Sequence, residues 1–170
     1  NKRFIVRAKV DRKTGTDNSL WVEMENAPSL GSKISEISQR GPCYENRKTR
    51  RARRARKAIL DIRAKSLFIA PPSTAQSDGS LVELNVVYVI ELNPADGDEP
   101  LKWRILTTEP IDTLEQALQI VRYYEQRWII EEFHKCWKTG CRVEERPFQS
   151  FDAVHRFLAI SCHIGIRILQ

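Results

Sequence analysis

The residues of this chain most able to do chemistry lie between positions 124 and 138. With Tyr124 at zero and an advance of about 100° per residue, Arg127, Glu131 and Lys138 fall at about 300°, 340° and 320°. A helix over this stretch therefore presents one carboxylate flanked by cations on a narrow stripe. Neighbouring charges that perturb a carboxylate are a mark of active sites. Ordinary surface pairing of Glu with Lys or Arg one turn away gives the same pattern, and the spacing alone leaves both readings open. Ile129, Ile130, Phe133, Cys136 and Trp137 fall between about 120° and 240°, an opposite apolar face suited to a core.

A second concentration of charge is Arg47-Lys48-Thr49-Arg50-Arg51-Ala52-Arg53-Arg54-Ala55-Arg56-Lys57, eight basic residues in eleven. So dense a run repels itself unless anions screen it. It reads either as a strand or loop that grips phosphates without specifying sequence, or as a solvated charged loop. The net charge of +6 favours a polyanionic partner, nucleic acid first. His134, Cys136, Cys141, Cys162 and His163 could ligate a metal, but no Cys-x-x-Cys pair supports zinc, and buried thiols are the simpler reading. Four cysteines at irregular spacing do not make a disulfide framework and fit a reducing compartment.

These groups must be held by a folded scaffold, and 170 residues with 41% hydrophobic content suffice for one substantial core or two small ones. No apolar run reaches the roughly 20 residues of a membrane span, and the start does not read as a signal peptide, so no membrane partner is expected. Arg3 to Val10 alternates as a strand ending at the turn cluster Asp11 to Asn18. From Leu20 to Ile69, short strand-like pieces between Pro28, Gly31, Gly41 and Pro42 suggest a β-rich subdomain rather than helices. Leu81 to Ile90 is the strongest strand, and Leu101 to Thr107 is another. Thr113-x-x-Gln116 has the form of a capping box and opens a helix to about Lys138, ahead of Gly140. Phe151 to Gln170 carries helical apolar spacing at Phe151, Val154, Leu158 and Ile164 and is expected to be a core helix.

The register Tyr124-x2-Arg127-x3-Glu131-x6-Lys138 resembles the signature of the insertion-sequence-four (IS-four) family of bacterial transposases. The longer string RWIIEEFHKCWKTG, the opening Arg3-Phe4-Ile5-Val6-Arg7, the basic run, and Pro100-Leu101-Lys102-Trp103 through Thr108-Glu109-Pro110 are similar to that family in the same order, covering essentially the whole chain. The resemblance implies an α/β fold: part of a ribonuclease-H-like catalytic core with a β-rich insertion subdomain. Residues 1–19 would be a strand of the core, 20–99 the insertion, and 100–170 the C-terminal part of the core carrying the Glu helix. It implies cut-and-paste DNA transposition by nicking, hairpin formation and strand transfer at transposon ends.

Glu131 would be the catalytic glutamate of an Asp-Asp-Glu triad and a metal ligand. Two Mg²⁺ ions, with Mn²⁺ as a substitute, would activate the attacking oxygen and stabilise the leaving one. Tyr124, Arg127, Lys138 and Lys135 would contact double-stranded DNA of the terminal repeats and target, as would Arg50, Arg51, Arg53 and Arg54. Trp103 would stack on a flipped base, although a strand core residue is the alternative. A homodimer in the synaptic complex and a cytoplasmic, nucleoid-associated location are also implied. Asp11, Asp17, Asp61 and Asp78 match neither family aspartate. Both catalytic aspartates are expected upstream, which would make these residues an inert fragment. Two other classes compete: a non-enzymatic DNA-binding or inhibitory relic, and an RNA-binding basic protein that leaves the Tyr124 to Lys138 register unexplained.

Overall fold

The computed structural model describes residues 2–39, 43–45, 48–50, 52, 54–72, 79–95 and 97–169, with the backbone alone at 43–45 and 48–50. The chain divides into two compact units, Asn1–Tyr124 and Glu125–Gln170.

The first unit is mixed α/β, built on a five-stranded antiparallel sheet in the order β1-β7-β6-β5-β2. Its strands are β1 (Ile5–Arg7), β2 (Ser29–Ile37), β5 (Arg56–Ile69), β6 (Val82–Glu91) and β7 (Lys102–Thr107), while β3 (Cys43–Glu45) and β4 (Lys48–Arg50) pair separately. Alternation along the strands sends side chains to two buried faces. Leu60, Ile62, Val87, Val89 and Ile105 meet Ala117, Ile120 and Val121 of helix α2 (Leu114–Lys135). Leu67, Ile69, Val86, Tyr88 and Leu106 meet Leu20 and Met24 of helix α1 (Leu20–Glu25). Burial on both faces explains why Val86 to Ile90 is an uninterrupted apolar run.

β6 and β7 fall within a residue of the strands expected at Leu81 to Ile90 and Leu101 to Thr107, and the capping box forms: Gln116 N donates to Thr113 Oγ1 at 3.3 Å and Thr113 N to Gln116 Oε1 at 3.1 Å. Three expectations are corrected. The first strand spans only Ile5–Arg7. α1 replaces a strand-like piece, because Leu20 and Met24 are four residues apart and fill one face of a helical turn. The segment before Ile69 is one strand of 14 residues, which draws Arg56 out of the basic run into the sheet. Gly31 allows α2 to approach β2 closely: its φ is +147°, and a Cβ there would lie 2.7 Å from Leu114 Cδ2.

Glu23 ties α1 to the sheet. Its carboxylate accepts from Lys65 Nζ at 2.6 Å, Thr16 Oγ1 at 2.7 Å and Asn18 Nδ2 at 3.1 Å, and these bonds, Lys65 first, hold its pKa down to about 2. A carboxylate depressed by folding stabilises the fold above its ordinary pKa of 4.5, and this contribution is lost as pH falls towards 2. Acid titration followed by circular dichroism should show the loss of stability over that interval reduced in Glu23→Gln; an unchanged acid profile would contradict the network.

The second unit contains the remainder of α2, a π-helical turn (Cys136–Gly140), a 3-10 turn (Val143–Glu145) and helix α3 (Phe151–Ile168). Phe133 stacks on Trp137 with centroids 5.8 Å apart, and Trp137 Nε1 donates to the buried Ser161 Oγ at 2.7 Å. Gly165 lets α3 approach Phe133: a Cβ there would lie 3.1 Å from its Cε2. Ser150 caps α3 by accepting from Ala153 N at 3.3 Å. The inward stripe runs through Val154, Leu158, Ser161 and Gly165, so of the four apolar positions expected to face a core Val154 and Leu158 do, whereas Phe151 and Ile164 are exposed. Among the described residues no helix is long and apolar enough to cross a membrane.

Candidate nucleic-acid interface

Glu131 and Arg127 are brought together one turn apart on α2, where Arg127 Nη1 donates to Glu131 Oε1. Their side chains are 44% and 52% exposed, so the pair adds only about 0.3–0.5 kcal/mol to stability and both groups remain accessible to solvent. Lys135, the last residue of α2, is exposed too.

Two members of the expected stripe lie elsewhere. Tyr124 is buried, with its ring centroid 5.3 Å from that of the half-buried Trp103 in an edge-to-face contact. At about 100° per residue, Ala117, Ile120 and Val121 share Tyr124's azimuth, so the azimuth that is polar at Glu131 faces the core earlier in the helix. The apolar side expected to be buried is exposed at Ile129 (57%) and Ile130 (59%), and only Phe133, Cys136 and Trp137 of that set are half-buried. Lys138 does not continue the α-helical register: it stands in the π turn, whose extra residue per turn rotates it away from the calculated angle. Its Nζ lies 2.6 Å from Glu144 Oε1, a partner that spacing arguments along one helix did not find.

Within the basic run, Arg54 is exposed. The backbone of Arg50 pairs with Cys43 across β3 and β4, and its side chain, with Arg51 and Arg53, lies outside the described residues. Arg56 is engaged with acid rather than free for phosphate. Its Nε and Nη2 donate to the two oxygens of Glu91 at 2.8 and 2.9 Å, and its Nη1 donates to Asp98 Oδ2 at 2.6 Å. The acidic partners lie 35 and 42 residues along the chain, beyond any local pattern.

Glu131 can offer a carboxylate oxygen to a divalent cation, but a Mg²⁺ centre takes several oxygen ligands. Among the described residues no group of three His, Cys, Asp or Glu side chains could hold a metal. The described residues therefore do not by themselves fit a two-ion centre. Cys136, Cys141 and Cys162 are free thiols. Residues 3–164 of the 170 match a family model described as "Transposase DDE domain".

Proposed function

As the chain belongs to the transposase DDE-domain family, whose fold is ribonuclease-H-like and whose enzymes cut and transfer DNA, we propose that it is the Glu-bearing part of a cut-and-paste transposase of the IS-four type. The observation that carries this is Glu131, exposed on α2 with Arg127 one turn away and Lys135 and Lys138 just beyond: a carboxylate amid cations suited to phosphate. In this role Glu131 would offer a carboxylate oxygen to a divalent metal, Mg²⁺ with Mn²⁺ as substitute, which when bound would supply charge stabilisation for phosphoryl transfer at transposon ends. The other ligands come from carboxylates not gathered among the described residues. Arg127, Lys135, Lys138 and the basic run at Arg50, Arg51, Arg53 and Arg54 grip phosphates of double-stranded DNA. Tyr124 and Trp103 form an aromatic pair, one ring bracing the other, at which an unstacked base could be received. Pairing of two copies across two transposon ends belongs to the same proposal.

The lack of a three-ligand group among the described residues supports a second reading, a DNA-binding relic without chemistry of its own. Excision of the element in cells, compared between wild type and Glu131→Ala, separates the two when the purified proteins are also measured on duplex DNA. Excision abolished with DNA affinity kept supports Glu131 as a metal ligand. Equal excision by both overturns that role, and DNA affinity indifferent to salt overturns phosphate gripping altogether.

A further inference from the structure

Arg142 is the one non-glycine residue with positive φ among the described residues, at φ 51° and ψ 44°. In this left-handed region the Cβ of an L-residue crowds the following carbonyl, and glycine occupies it without that penalty. Turn geometry therefore opposes an arginine here, and its side chain must be accounted for by something other than the turn. Its contact within the chain is slight: Nε lies 3.9 Å from Glu145 Oε2, with both side chains 71% exposed, a loose solvated pair. The neighbouring cation is matched more closely, since Lys138 is 2.6 Å from Glu144, a contact that ties the π turn to the 3-10 turn beginning at Val143. Arg142 thus stands within a tied segment, fixed in backbone and open at its guanidinium.

We propose that Arg142 is a DNA-phosphate contact, held in strained backbone because its planar fork matches two phosphate oxygens. This rests on the reading that the segment after Glu131 grips DNA. Removing one phosphate contact lowers the slope of log affinity against log salt by about 0.9, or about eightfold in affinity near 0.1 M salt.

The test is duplex-DNA binding by fluorescence anisotropy across a salt series for wild type, Arg142→Gly, Arg142→Lys and Lys135→Ala, with thermal unfolding of each. The expected result is that Arg142→Gly unfolds at the same or a higher temperature yet loses about 0.9 of slope, while Arg142→Lys keeps the slope. A wild-type slope in Arg142→Gly, with Lys135→Ala flattened, overturns the role of Arg142 alone. Wild-type slopes in both overturn the DNA-gripping reading of the segment.

Discussion

Arg56→Ala is expected to lower stability by about 3–5 kcal/mol while leaving the salt slope of DNA binding unchanged. The reason is the environment of its partner: the Glu91 side chain is 0% exposed, and Arg56 is only 14% exposed. The guanidinium supplies two hydrogen bonds in a fork, and Leu101 N adds one at 3.0 Å. Without Arg56 a buried carboxylate loses the two hydrogen bonds of the guanidinium fork and its nearest opposite charge, and keeping its charge there or taking up a proton costs free energy. Replacing both partners together, as in Arg56→Met with Glu91→Leu, is expected to recover most of the loss, because the fully buried carboxylate is removed with the guanidinium and only the more exposed Asp98 loses a partner. Urea denaturation of the single and double variants provides the measurement. A stable Arg56→Ala protein whose salt slope falls by about 0.9 would return Arg56 to the phosphate-gripping run.

Ile62→Ala should remove about 2–5 kcal/mol, whereas Ile130→Ala should change stability by less than about 0.5 kcal/mol. Ile62 is fully buried at the centre of β5, opposite Val89 of β6, in the cluster that carries the first turns of α2. Truncation there removes methyl groups from a site that strands on both sides prevent from collapsing, so a cavity adds to the lost transfer free energy. Ile130 is already 59% in solvent and leaves no cavity. A single domain has roughly 5–15 kcal/mol in total, so the first variant should move the denaturation midpoint markedly and the second hardly at all. Comparable shifts in both would mean that the apolar side of the Glu131 helix is buried after all.

Much of the fold was legible in local pattern. Thr113 and Gln116 announce a helix start because two side chains can satisfy two orphan backbone donors over a fixed spacing of three residues. The apolar run Val86 to Ile90 of β6 announces a strand because β-branched residues suit a pleated, buried surface. The Tyr124 to Lys138 register was equally plain, and with the resemblance around it pointed to a DDE transposase, the broader family that the match over residues 3–164 shows; its IS-four type is part of the proposal.

What local pattern could not decide was which groups would be used up by partners elsewhere and which helix face would be covered. Arg56 reads like its basic neighbours until the pairing of β5 with β6 brings Glu91 beside it. Tyr124 and Glu131 share an azimuth, yet one is buried and the other exposed, since the sheet covers α2 at Ala117 to Tyr124 and Ile129 and Ile130 remain in solvent. Nor did periodicity foresee the π turn that carries Lys138, because counting at 3.6 residues per turn assumes the geometry it is used to infer. The sequence by itself determined β6, β7, the start of α2 and the distribution of charge, since these follow from side-chain types and near-neighbour spacing. Only the tertiary structure decided which of the charged residues stay accessible, because burial and charge pairing depend on contacts between residues far apart in the chain.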